Sequence, residues 1–181
     1  MKRVAIFAVA LLGLGACTVK AEPPSASDQP VQPPAAATST APASAVIPRA
    51  PEPVADGPCP YLASGVVADA NGQRVTKVRI SADKPHPACF FYRPDGSVQL
   101  TVRIYSGDAT VATAIVDEAA PRATSDPARS PQGWKGGSLS GDKGAVYAVS
   151  KEGVAVVVST NQAQTIKARR IVEAVVTQLS L

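Results

Sequence analysis

Few side chains in this sequence are of a type that does chemistry, and they are scattered. His86 is the sole histidine and sits between Pro85 and Pro87, so any serine–histidine–carboxylate relay would have to run through it. No Gly-x-Ser-x-Gly elbow exists to supply its serine, and an exposed loop histidine is the ordinary reading. Asp117 and Glu118 are adjacent. On a helix, neighbours diverge by about 100°, which makes these two helix-end charges rather than a paired acid–base or metal site. The glycines from Gly133 to Gly141 would let backbone amides approach an anion, but the Gly-Lys-Ser/Thr ending of a phosphate loop is missing. There remains Trp134, the only tryptophan, within Gly133-Trp134-Lys135-Gly136-Gly137. An indole there either folds down to cap a sheet or stands out as a contact for a partner, glycan or ligand, since tryptophan dominates many binding hot spots. Trp134 and Lys135 are the candidate binding residues, with Tyr61 or Tyr105 as further members of such a site. No catalytic residue, metal site or cofactor is expected.

The remaining reactive groups are three cysteines. Lys2 and Arg3 supply a positive start, Val4 to Leu14 a short apolar run, and Gly15-Ala16 a small-residue exit, the pattern of a secretory signal. The run is too short to span a bilayer, which needs about 20 apolar residues. Leu14-Gly15-Ala16-Cys17 resembles the lipobox of bacterial lipoproteins, in which the cysteine is acylated and becomes the first mature residue. That makes residues 1–16 the signal peptide and Cys17 the lipid attachment point. Two or more acyl chains hold a protein on a bilayer where one would not. In an oxidising compartment the remaining pair, Cys59 and Cys89, is expected to close into a disulfide; Cys-x-x-Cys is absent, and the spacing matches no zinc ligand set.

Proline divides the rest of the chain. Nine of the seventeen prolines precede residue 58, in a stretch of Pro, Ala, Ser and Thr with almost no large apolar side chain. Residues 17–57 therefore read as a lipidated cysteine followed by a disordered tether, because they bury too little surface to offset ordering entropy. Residues 58–181 are rich in Val, Ile and Leu and read as a single globular domain. Its fourteen Lys and Arg against ten Asp and Glu form no cluster. The densest basic run, Lys167, Arg169 and Arg170, falls on helical spacing as a solvated face, so no nucleic-acid partner is expected.

Within the domain, Leu62, Val66, Val67 and Ala70 predict a short helix stopped at Asn71-Gly72. Val75 to Ser81 alternates as a strand. Cys89 to Arg93 and Val98 to Tyr105 form a hairpin around Pro94-Asp95-Gly96, with Val98, Leu100, Val102 and Ile104 inward and Gln99, Thr101 and Arg103 outward. Asp108 caps a helix with a Val111, Ala112, Ile115, Val116 and Ala119 stripe. Residues 120–143 show no periodicity and read as a long, functional or mobile loop. Strands over Ala145–Ser150 and Val154–Thr160 precede a last helix to about Leu179, opened by an Asn161/Gln164 capping box. The expected architecture is α+β, a largely antiparallel sheet of about five strands covered by two or three helices in the order α-β-β-β-α-β-β-α.

The runs Cys59-Pro60-Tyr61-Leu62, Cys89-Phe90-Phe91-Tyr92-Arg93-Pro94-Asp95-Gly96, Gly133-Trp134-Lys135-Gly136-Gly137 and Thr160-Asn161-Gln162 resemble an actinobacterial family of secreted lipoproteins with a domain of unknown function. The resemblance covers nearly all of residues 58–181. It implies location and domain integrity, and it carries over no active site.

These features lead to the expectation of a monomeric, lipid-anchored envelope protein, held on the outer face of the cytoplasmic membrane by acyl chains on Cys17. It would act as a non-enzymatic module that binds an envelope protein, glycan or lipid through residues 120–143. A carrier of a lipid or other apolar ligand is the alternative, and a hydrolase is disfavoured by the missing catalytic set.

Overall fold

The computed structural model describes residues 45–181, so the signal segment, Cys17 and most of the expected tether lie outside the described residues. The elements run β1 (Ala55–Asp56), α1 (Ser64–Asn71), β2 (Lys77–Ile80), β3 (Cys89–Tyr92), β4 (Val98–Ser106), α2 (Ala109–Ala119), β5 (Asp126–Arg129), β6 (Lys135–Gly141), β7 (Gly144–Lys151), β8 (Val154–Thr160) and α3 (Thr165–Leu179). The fold is α+β, with three helices on one antiparallel sheet of eight strands ordered β1-β2-β3-β4-β8-β7-β6-β5.

Eight strands replace the five expected, and the three extra ones are β1, β5 and β6. β1 corrects the tether boundary at residue 57. The Val54 amide donates to the Ile80 carbonyl at 2.9 Å and the Gly57 amide to Val78 at 3.2 Å. Asp56 reaches Lys77 Nζ at 3.1 Å, and Arg79 Nε lies equally close as an ion pair without hydrogen-bond alignment. Farther upstream, Arg103 donates to the Pro48 carbonyl at 2.9 Å. Ordered chain thus lies over the sheet well before Pro58.

β5 and β6 occupy the segment expected to be an irregular loop. Pro127 costs β5 one donor, which an edge strand tolerates, and glycines hide the alternation of β6. Gly137 is required by packing: a Cβ there would fall 2.9 Å from the Ala120 Cβ just past α2. The helix end rests directly on bare backbone.

Alternation then sorts the core onto two faces. Tyr147 and Val149 of β7 and Val156 and Val158 of β8 join Val67 of α1 and Ala168, Ile171, Val172 and Val175 of α3. Ala148 and Ala155, pointing the other way, meet Ala112, Ile115 and Val116 of α2. β8 is therefore covered on both faces, the arrangement that its nearly continuous apolar sequence demands. Each buried Val or Ile contributes about 1.5–3 kcal/mol.

Two local expectations are corrected. Along β4, Val98 is 39% exposed and Gln99 only 1%, because Phe91 pairs with Leu100 while Tyr92 pairs with Val98. This bulge leaves Gln99 unmatched and turns it inward. At α3, Gln164 is the N-cap residue but makes no side-chain cap bond; Asn161 Oδ1 accepts from Asn71 Nδ2 at 3.2 Å instead. The α2 cap forms as expected, with Asp108 accepting from the Thr110 and Val111 amides at 2.7 and 3.0 Å. Those two amides hold its carboxyl below the usual range.

Candidate functional site

Three groups of polar or reactive side chains emerge, and two of them fasten the fold. The first is the corner closed by Cys59 and Cys89, which form a disulfide with Cα atoms 5.6 Å apart. Tyr61 is buried beside it and donates to the Pro87 carbonyl at 2.7 Å. Burial, with the Asp83 carboxylate adding to it, pushes the Tyr61 hydroxyl above the ordinary phenol range. His86 stands edge-on to Tyr61, ring centres 6.1 Å apart, and is half-buried rather than exposed.

The second group joins α1, β4, β8 and α3. Asn71 is 1% exposed. Its Nδ2 lies 3.1 Å from Gln99 Oε1, and its Oδ1 accepts from Thr160 Oγ1 at 2.5 Å. Gln99 Nε2 donates to the Arg74 carbonyl at 2.9 Å. Lys167 Nζ, on the run expected to be a solvated face, donates to the Asn71 carbonyl at 3.0 Å and to Gln162 Oε1 at 3.1 Å. Buried polar groups in such a network are satisfied by one another, which specifies the packing and leaves little for a ligand.

The third group surrounds the β5–β6 hairpin. Trp134 is 1% exposed and belongs to the core with Ala128, Tyr147, Val149 and Val175. Of the two placements open to the indole, the structure has the packed one, which removes Trp134 as a direct contact for a ligand. Its Nε1 has no hydrogen-bond partner among the described residues. Tyr105, the other aromatic considered, lies half-buried against the α2 cluster and accepts from the Asp108 amide at 3.1 Å.

Burying Trp134 fixes its neighbour. Successive strand residues face opposite ways, so Lys135 is presented on the α2 face, where it is exposed. There it stands directly opposite Arg129 of β5 and Ser150 of β7. Arg129 is held from behind, its carbonyl accepting from Tyr147 Oη at 3.0 Å. The connecting turn has Gln132 at φ 66°, ψ 23° and Gly133 at φ 87°, the signs of a type I′ hairpin turn.

Between this strand pair and the end of α2 lies a cleft of about 780 Å³. Its charged lining is Arg122, Arg129, Lys135 and Lys151 against Asp117 and Glu152, with Ser150 between them. Asp117 is engaged by Arg122 at 3.0 Å. Among the described residues no ion pair reaches Arg129, Lys135 or Lys151. A smaller cleft of about 350 Å³ lies between Ser130 and the last turns of α3, with Glu173 as its charged side chain.

Lys135 is the one candidate from the sequence that lines the larger cleft. Arg129 and Ser150 carry no such signal in the sequence, because their alignment with Lys135 depends on a strand pairing that glycine and proline conceal. Asp117 is paired with Arg122, and among the described residues there is no group of three His, Cys, Asp or Glu side chains that could hold an ion. No described helix is long and apolar enough to cross a membrane.

Fold and site together define a disulfide-tied α+β domain, helices on both faces of an antiparallel sheet, with a cationic cleft at the sheet's β5–β6 end. Residues 45–181 match the family model described as a domain of unknown function, DUF2020, and the chain belongs to that family. No curated protein matches it.

Proposed function

We propose that this protein is a lipid-anchored, non-enzymatic binding module of an actinobacterial cell envelope, and that it engages its ligand in the cleft beside Lys135. The observation that carries the reading is the direct opposition of Arg129 and Lys135 at one cleft, neither in an ion pair among the described residues. Exposed like charges brought together by rigid strands repel one another, a standing cost in stability that an external partner would relieve. Anchoring is supported by the Leu14-Gly15-Ala16-Cys17 run and the proline-rich segment after it, which would space the domain from the lipid surface.

The test is site-specific photo-crosslinking in intact cells. A crosslinker at Ser150 should yield a discrete envelope adduct, whereas one at Arg170, on α3 of the opposite face, should not. Equal labelling from both positions, or none from Ser150, would overturn the binding assignment. In the same cells Cys17→Ser should release the domain from the membrane fraction; retention of a fully processed, detergent-phase protein would overturn the anchor.

A further inference from the structure

Charge and geometry in the cleft narrow the ligand class, an inference that rests on the binding role proposed above. Cations elsewhere in the domain are mostly occupied. Lys77 and Arg79 meet Asp56, Arg93 meets Asp95, and Arg169 meets Glu173. Arg103 is taken up by the Pro48 carbonyl, and Lys167 by Asn71 and Gln162. Among the described residues Arg74, Lys84, Lys143 and Arg170 have no such partner either, but they are dispersed, after α1, between β2 and β3, between β6 and β7, and within α3. At the β5–β6 hairpin, by contrast, two such cations are set side by side on one surface.

Their arrangement is fixed rather than incidental. Arg129 and Lys135 occupy opposed positions of an antiparallel ladder, where Cβ atoms are about 5 Å apart, and Ser150 continues the same row on β7. Tyr147 Oη fixes the backbone beneath Arg129, and the buried Trp134 fixes it beneath Lys135. A guanidinium fork, an ammonium and a hydroxyl thus line one row. A carboxylate offers one charge on two oxygens. A phosphate offers up to two charges on three oxygens, which matches two cations and a hydroxyl donor.

We propose that the cleft is a phosphate site, with Arg129 and Lys135 holding the anion and Ser150 donating to it. The phosphate is carried either by a soluble or wall-borne chain or by a lipid headgroup.

Titration of the full chain carrying Cys17→Ser tests this, using tripolyphosphate in one arm and phosphatidylglycerol vesicles, with phosphatidylcholine controls, in the other. Saturable binding is expected in at least one arm, weakening as salt is raised. Lys135→Gln and Arg129→Gln should each weaken it fivefold or more, Arg129→Glu should abolish it, and Arg170→Gln should leave it unchanged. Amide shifts at Arg129, Lys135 and Ser150 should report the contact, and the vesicle arm separates headgroup from free phosphate. Binding in neither arm, or binding indifferent to Arg129→Glu, overturns the phosphate assignment. The crosslinking result then stands separately: an adduct from Ser150 would keep the binding role with an uncharged ligand, and its absence would remove both.

Discussion

Arg129 and Lys135 face each other across the β5–β6 ladder, cation against cation, each exposed and neither joined to a carboxylate among the described residues. Directly opposed like charges destabilise a sheet, and opposed unlike charges contribute roughly 0.2–1 kcal/mol. Arg129→Glu should therefore raise the unfolding free energy by about 0.5–1 kcal/mol, read as a higher urea midpoint at unchanged slope. A lower midpoint would show that the two cations do not repel. Because the same substitution cancels the cleft's net positive charge, stability and ligand binding should move in opposite directions.

Trp134 should behave as a core residue with an idle donor. Trp134→Ala should cost about 3–5 kcal/mol, while Trp134→Phe should cost less, because Nε1 gives up no hydrogen bond. Fluorescence checks the placement directly: emission should be blue-shifted and poorly quenched by acrylamide in the folded state. Strong quenching would place the indole at the surface.

The Cys59–Cys89 bridge closes a separation of 30 residues, for which chain entropy predicts a stabilisation of about 3.5–4 kcal/mol. Urea unfolding of the Cys59→Ala/Cys89→Ala double variant should show a loss of that order. The corner it holds also carries the Tyr61–Pro87 bond, so residual structure near His86 should loosen first, visible as faster amide exchange over residues 83–88.

Tyr61 gives the domain an alkaline limit. An unfolded tyrosine ionises near pH 10, whereas burial and Asp83 raise the folded value above that. Below pH 10 the phenol is protonated in both states, and its contribution is fully present. As pH climbs further the unfolded chain gives up the proton and the folded one keeps it, so stability falls. Tyr61→Phe should cost about 1 kcal/mol at neutral pH through the lost bond and flatten this decline. An unchanged alkaline slope would show that Tyr61 is not its source. At the acid end the sign reverses: amide bonds lower Asp95 and Asp108, so their contribution is present above about pH 4 and fades as pH drops through the folded values.

How much of this could be read in the letters depended on whether periodicity survived local demands. α2 with its Asp108 cap, β8 and the Val98–Tyr105 strand were legible because propensity and packing agree there. Gln99 was not, since a bulge is a property of two strands in register and Val98 through Leu100 alternate perfectly by themselves. The β5–β6 hairpin was hidden for three reasons: Pro127 reads as a breaker, Gly136 and Gly137 erase the alternation, and Gln132 is an unusual occupant of a left-handed turn position that normally calls for Asn or Gly. Lys135 could be named as a candidate, but its opposite number could not. Arg129 becomes its neighbour only once the hairpin closes.

The short pairing of β1 with β2 has a mechanical meaning. Force arriving along the chain from the amino-terminal side meets first the Arg103 clasp on Pro48, then two residues of edge strand. Three positions beyond Asp56 the pull reaches Cys59 and is handed through sulfur to Cys89, in a strand flanked on both sides by partners. The edge can yield first, and the covalent link then sets the load on β3 directly, sparing the stretch between the two cysteines.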